Sequence, residues 1–418
     1  MKQSVGLILL TLALLSAGCI RKDSSVAEPE DPVMQAILEC GNYAADVLLD
    51  ESGKSRCDYN LAQGKWYPYE EPWHTGQLIL GLVNAYEVSG ERHFLQAAVR
   101  AGNWWLSQEI KGDPRFAGMI AAVHGDSVGT DQIVFATTTD GTHGLYELTR
   151  VTGDRRYADL ATSAITWLYE KTYDEEHGVC YDLVDLSSGE VIKADSPFHK
   201  EVKNQTLFDV SRPNTEGSPF KDAFEYGGDE RLKAAEIRLC DALVEYQDPG
   251  SGMWMDFMPN SKEAGSFHPR FNIWYAESLL DGYDFTGDGK YLEAAVRTMR
   301  TYASVQTKDG TMFYDNYING RPSDKGSVCG SEVAFAGIVW MRLAEDYGYP
   351  EFRENYLKSL DWILKNRYAA DHPDPNLRGA VINTRMRTKK GGVWLTQRDV
   401  GTSFGLRFLS EYYKRNKQ

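Results

Sequence analysis

Side chains able to bind or cleave a polar ligand recur at six places, each ahead of or inside a stretch with helical periodicity. They are Trp73-His74-Thr75, Thr137 to His143 with Asp140 at its centre, Arg212 to Glu216, His268 to Trp274, Glu332, and Gln397-Arg398-Asp399. Such residues are expensive to bury without partners, so their place in otherwise apolar helices calls for a reason. Two carboxylates in one cavity act as general acid and base when the cavity raises one pKa and leaves the other ionised. Asp140, in a polar run within an apolar helix, and Glu216, which opens the next such helix, are the candidate pair. Asp399 with Glu332 is the reserve pair. Arg270 and Arg398 suit bidentate recognition of a uronate carboxylate. Trp73 and Trp274 offer flat faces for sugar rings, and His74, His143, His268 and Asn272 offer hydrogen bonds to hydroxyls. The purely structural alternatives are a helix cap for Asp140, a helix-start charge for Glu216, and ion pairs with Glu277, Glu332 or Asp399 for the arginines.

These residues need elements that bring them together, and the glycines mark those elements. Gly90, Gly153, Gly228, Gly287 and Gly348 each follow an amphipathic or apolar helix and are followed four residues later by an aromatic or Leu: Phe94, Tyr157, Leu232, Tyr291 and Phe352. A glycine just past a helix, then an acidic or capping residue, is the signature of a helix-hairpin turn. The glycines lie 59 to 75 residues apart, so each unit holds two helices and a long loop. Before each turn the helix is rich in small and apolar residues, as in Gly76 to Leu82 and Ser331 to Ile338, which predicts burial on all sides. After it the helix has one apolar stripe, as in Arg155 to Lys171, which predicts water on one face. Helices over Met34–Leu49 and Thr396–Tyr413 complete six inner and six outer helices. The long connections, roughly 50–72, 109–130, 173–209, 247–267, 305–326 and 367–395, all emerge where inner helices begin. Helix N-termini on that face favour anions.

Twelve alternating helices predict an all-α (α/α)6 toroid over residues 33–418. With the phrase Tyr283-Asp284-Phe285-Thr286-Gly287-Asp288-Gly289-Lys290-Tyr291-Leu292-Glu293-Ala294-Ala295, the chain resembles the six-hairpin glycosidase superfamily. The resemblance implies a carbohydrate-active enzyme, since unsaturated glucuronyl hydrolases, mannanases, sugar 2-epimerases and several polysaccharide lyases share the toroid. The double-Asp motif of the mannanase branch is missing, and only His268 to Trp274 is similar to the 2-epimerases, so no family's catalytic residues are carried across. Asp284 to Asp288 imitates a calcium loop but has Ala295 where a bidentate Glu is needed.

The chain has 418 residues, with 45 Lys+Arg against 60 Asp+Glu and a net charge of −15. No basic run neutralises phosphates, which argues against nucleic acid as a partner. An oligo- or polysaccharide is the expected partner. Lys2, the apolar run Val5–Leu15 and Leu15-Ser16-Ala17-Gly18-Cys19 predict a signal peptide over 1–18, lipidation of Cys19 and a tether over 19–32, with the membrane met through the lipid anchor alone. Cys40, Cys57, Cys180, Cys240 and Cys329 fit no zinc or redox spacing, so no metal or cofactor is expected and buried free thiols are favoured over a Cys40–Cys57 bridge. Asn204-Gln205-Thr206 matches a glycosylation sequon. The reading is an exported glycoside hydrolase acting on uronate-containing or other extracellular polysaccharide fragments. A lyase, a sugar epimerase and a non-catalytic glycan-binding lipoprotein are the alternatives.

Overall fold

Gly90, Gly153, Gly228, Gly287 and Gly348 have φ between 69° and 78°. In that left-handed region a Cβ would clash, so glycine ends each inner helix and lets the chain reverse. The next outer helix starts at once, with Asp229 and Asp288 accepting from the backbone N–H groups of Arg231 and Lys290. The computed structural model describes residues 31–123, 131–193, 219–319, 321, 323, 326–389 and 392–417. Residues 32–418 form one compact unit.

In chain order the helices are α1 (Pro32–Tyr43), α2 (Glu71–Ser89), α3 (Arg92–Ser107), α4 (Phe135–Thr139), α5 (Thr142–Thr152), α6 (Arg156–Thr172), α7 (Pro219–Gly227), α8 (Glu230–Tyr246), α9 (Phe271–Thr286), α10 (Gly289–Val305), α11 (Gly330–Glu345), α12 (Arg353–Lys365) and α13 (Val400–Lys417). The inner ring is α2, α4 with α5, α7, α9, α11 and α13. The outer ring is α3, α6, α8, α10, α12 and α1. Burial follows the composition: every residue of α2 from Pro72 to Ala85 is buried, whereas α3 buries Phe94, Ala97, Ala98, Ala101, Gly102 and Trp105 along one stripe. The ring closes where α13 packs on α2, α11 and α1. The expected (α/α)6 toroid is therefore the observed fold.

Deep in the inner ring, buried charge adds to the apolar packing between helices. Arg407 of α13 lies 2.5 Å from Glu277 of α9, Arg342 of α11 lies 3.0 Å from Asp281, and Lys221 of α7 lies 2.9 Å from the same Asp281. Glu277 is thus committed to Arg407 and Arg342, not to Arg270 or Arg398. Arg407 and Arg342 outweigh the burial that would raise the Glu277 carboxyl and hold it low. The described cysteines 40, 57, 180, 240 and 329 are all free and buried.

Four expectations are corrected. The second inner helix is not continuous: it breaks at Asp140-Gly141 between α4 and α5, because α2 and α5 cross at Gly76, Gly141 and Gly144. A Cβ on Gly76 would lie 2.3 Å from the Gly141 Cα, and one on Gly144 2.3 Å from the Gly76 carbonyl oxygen. The connections expected as loops at 50–72 and 367–395 pair into a sheet of β1 (Asp58–Asn60), β2 (Lys65–Tyr67), β3 (Thr384–Lys389) and β4 (Gly392–Arg398), in the order β2-β1-β4-β3. The three-residue strand β1 pairs with β4 336 to 340 residues further along the chain, so only tertiary pairing stabilises that contact. Consequently the last helix starts at Val400 rather than Thr396, which belongs to β4. At the other end α1 stops at Tyr43 and continues as a π-helical turn over Ala44–Leu48.

Candidate active site

The first turns of α2, α9, α11 and α13, with the end of β4, meet in one buried polar network. Asp399, between β4 and α13, accepts from the Ser55 hydroxyl at 2.5 Å, and its other oxygen lies 2.5 Å from His74 Nδ1. His74 Nε2 is 3.5 Å from the Arg398 guanidinium, whose Nε donates to Asp58 at 2.9 Å. Burial opposes charge on Arg398, but Asp58, Tyr314 and Tyr69 outweigh it and keep the guanidinium charged. Arg398 and Asn383 both donate to the Tyr314 hydroxyl, at 3.4 and 3.1 Å. Asn383 in turn accepts from the Ser331 hydroxyl at 3.0 Å, and that hydroxyl accepts from Arg270 Nη1 at 2.8 Å. One chain of hydrogen bonds thus runs from α2 to α9.

Arg270 stands between two indoles, 5.6 Å from the Trp73 ring and 6.0 Å from the Trp274 ring. The rings themselves meet edge to face at 6.0 Å. Among the described residues Arg270 has no ion pair, and its Nε, the Trp73 and Trp274 indole N–H groups and one oxygen of Glu332 are buried without a hydrogen-bond partner. Buried polar groups are nearly always paired, and several unpaired ones in one cluster mark a place built for a ligand. Glu332 accepts from Asn316 at 2.8 Å through its other oxygen. Burial, with Cys329 adding to it, pushes its carboxyl well above the ordinary carboxylate range despite the lowering influence of Arg270 and Asn316. A carboxyl whose proton affinity is raised by burial in this way is suited to donate a proton.

Seven predicted residues therefore converge: Trp73, His74, Arg270, Trp274, Glu332, Arg398 and Asp399. Three others are held elsewhere. His268 uses Nδ1 to accept from the backbone N–H groups of Arg270 and Phe271 at 3.1 and 3.2 Å, capping α9. Asn272 is bound up with Asn260, Tyr302 and the Trp254 backbone. His143 lies a turn further along the inner ring and pairs with Asp222 of α7 at 2.7 Å. Asp222 overcomes the effect of burial and raises its imidazole to about 9. Asp140 is buried at the α4–α5 break, where the Gln77 side-chain amide donates to its carbonyl oxygen. Glu216, Asn204 and Cys19 lie outside the described residues.

Ser55, Asp58, Tyr69, Tyr314, Ser331 and Asn383 escaped sequence reasoning. Only the placement of Ser331 beside Glu332, at the start of a small-residue helix, could have flagged any of them. Cys57, His74 and Asp399 place potential ligand atoms within 4.8 Å of one another. Hydrogen bonds account for the geometry: His74 and Asp399 bind each other, burial lifts the Cys57 thiol well above its usual range, and the Arg398 cation sits alongside.

Residues 54–247 match the family model described as beta-L-arabinofuranosidase, GH127 catalytic domain. That segment, under half of the chain, includes Trp73, His74, Asp140 and His143 but none of Arg270, Trp274, Glu332, Arg398 and Asp399. No curated protein matches the sequence. Among solved structures, the chain is similar to cellobiose 2-epimerase from Bacillus thermoamylovorans B4167 (14% identity, TM-score 0.64, 91% of this chain and 99% of that one). It is also similar to unsaturated glucuronyl hydrolase from Bacillus sp. GL1 (14% identity, TM-score 0.65, 92% and 97%). A third is a D-mannose isomerase (12% identity, TM-score 0.62, 92% and 97%). The chain therefore shares the (α/α)6 toroid fold of these structures, and its residues 54–247 match a glycoside hydrolase catalytic-domain model.

Proposed function

We propose that this protein is a glycoside hydrolase that cleaves uronate-containing saccharides outside the cytoplasm, after export and lipidation at Cys19. The observation that carries the reading is Arg270: a buried cation without a carboxylate partner among the described residues, flanked by two indoles and by donors that lack partners. Arg270 and Arg398 supply charge for a sugar carboxylate, and Trp73 and Trp274 supply faces for the ring. Glu332 protonates the glycosidic oxygen as the bond to the anomeric carbon breaks. Asp140, buried across the ring on the α4–α5 break, is the partner carboxylate that meets that carbon directly or through a water. Glu216 is the third carboxylate expected at this face.

A lyase reading would need a free imidazole or phenolate base. His268 is less suited to that, because its Nδ1 caps α9. Incubation with a panel of uronate-containing oligosaccharides tests the proposal. New reducing ends without the ultraviolet absorbance of an unsaturated uronate are expected. Appearance of that absorbance would make the protein a lyase, and unchanged substrate across the panel would leave binding alone. Asp140→Asn and Glu216→Gln, assayed side by side, show which is the partner of Glu332: its removal lowers turnover by about 10²–10⁴-fold.

A further inference from the structure

The four-stranded sheet has a face of which the reading above uses Arg398 alone. Side chains alternate along a strand, so residues two apart share a face, and register places partners side by side. Asp58 pairs with Tyr67 on one side and Arg398 on the other, Thr396 pairs with Arg385, and Trp394 pairs with Arg387. All seven therefore lie on one face. There Asp58, Tyr67, Tyr69, Arg385, Arg387 and Trp394 line a cavity of about 140 Å³. That is well short of the roughly 300 Å³ at which pockets for larger ligands begin, and it suits a single sugar ring.

The chemistry of this face is uneven. Tyr67 and Trp394 form an aromatic pair with centroids 4.8 Å apart. Asp58 is the one acidic residue lining the cavity, and Arg398 already engages it at 2.9 Å. Arg385 lies over the Tyr314 ring at 5.2 Å, and among the described residues neither Arg385 nor Arg387 has a carboxylate partner. Two guanidinium groups without a carboxylate partner among the described residues and two ring faces thus share one small cavity on a protein of net charge −15. The cavity also adjoins the site: Tyr69 lies under the Arg398 guanidinium at 5.1 Å, and Arg398 reaches His74.

We infer that this face is a second saccharide subsite, which holds an anionic sugar residue of the same oligosaccharide whose scissile bond lies at Glu332. Tyr67 and Trp394 stack on the ring, while Arg385 and Arg387 take its carboxylate or sulfate as paired N–H donors. The inference rests on the acidic-substrate reading above and adds to it that more than one acidic residue is recognised. Calorimetry with D-galacturonate, tetragalacturonate, a heparin-derived tetrasaccharide and neutral cellotetraose tests it, using wild type, an Arg385→Gln/Arg387→Gln double variant, Trp394→Ala and Arg270→Gln. Both sheet changes are on the sheet surface, and an unchanged melting temperature checks folding.

An acidic tetrasaccharide should bind wild type more tightly than the monosaccharide. The double variant should lose that tetrasaccharide by at least about tenfold, as expected for charge-assisted pairs, while its affinity for D-galacturonate stays unchanged. Arg270→Gln should weaken both. Loss of the carboxylated tetrasaccharide alone, or of the sulfated one alone, supports the subsite and identifies its anion. If Arg270→Gln weakens tetrasaccharide binding while the double variant and Trp394→Ala leave it intact, the subsite is overturned and the acidic-substrate reading stands. If wild type prefers cellotetraose to both acidic tetrasaccharides, that reading falls and the subsite falls with it.

Discussion

Glu332 combines two properties that a structural carboxylate would not: one oxygen without a partner and a proton affinity raised by burial. Its folded pKa lies above the ordinary 4.5, so the folded state holds a proton that the unfolded chain releases, and stability falls as pH rises above about 4.5. Glu332→Gln keeps the shape and removes that dependence. The variant should melt above wild type at neutral pH, with the gap narrowing toward pH 4.5, while turnover drops by about 10²–10⁴-fold. Melting curves across pH, run beside activity assays, check both; a variant that is less stable at neutral pH would make Glu332 a structural residue. Trp73, His74, Arg270 and Asp399 were legible in the sequence because polar or aromatic residues in an apolar helix are conspicuous. Asp58, Tyr314 and Asn383 were not, because isolated polar residues in loops look like any solvated residue until the fold buries them.

Two contacts between neighbouring inner helices set the geometry at the element scale. The helices α2 and α5 touch backbone to backbone at Gly76, so Gly76→Ala forces a shift at the α4–α5 break beside Asp140. A loss of about 1–3 kcal/mol is expected from denaturant titration, as for other overpacked cores, with turnover falling alongside. Further along, His143 pins α5 to Asp222 of α7. Because the folded imidazole titrates at about 9 against 6.5 when unfolded, this contribution is full below about pH 6.5 and disappears as pH rises through 9. The melting-temperature difference between wild type and His143→Gln should shrink over that range. A constant difference would mean that His143 acts through packing alone. Glycine phase made the hairpins legible one by one, whereas the α4–α5 break depends on which helix lies opposite Gly141, which one helix's periodicity cannot report.

For the whole molecule, the expectation that begins with Lys2 and ends at Cys19 is tested by intact mass of the native protein. Loss of residues 1–18 with an added lipid mass is expected, retention of Met1–Gly18 would refute processing, and cleavage without lipid would refute the anchor alone. By itself the sequence determined the toroid. Apolar runs of helical period and glycines that tolerate left-handed backbone are local properties, and six such units can bury their inner helices only by closing on one another. It also pointed to the face on which the buried polar network gathers, since long connections and helix N-termini fall at the same end. The tertiary structure alone decided which residues meet there. Asp58 lies 340 residues from the Arg398 it pairs with, and Ser55 lies 344 from Asp399, so the chain must be closed before these charges have partners. The sheet is the same case on a larger scale, because strands of three residues form only when distant strands have been brought beside them, and with them arise the aromatic and cationic face and its cavity.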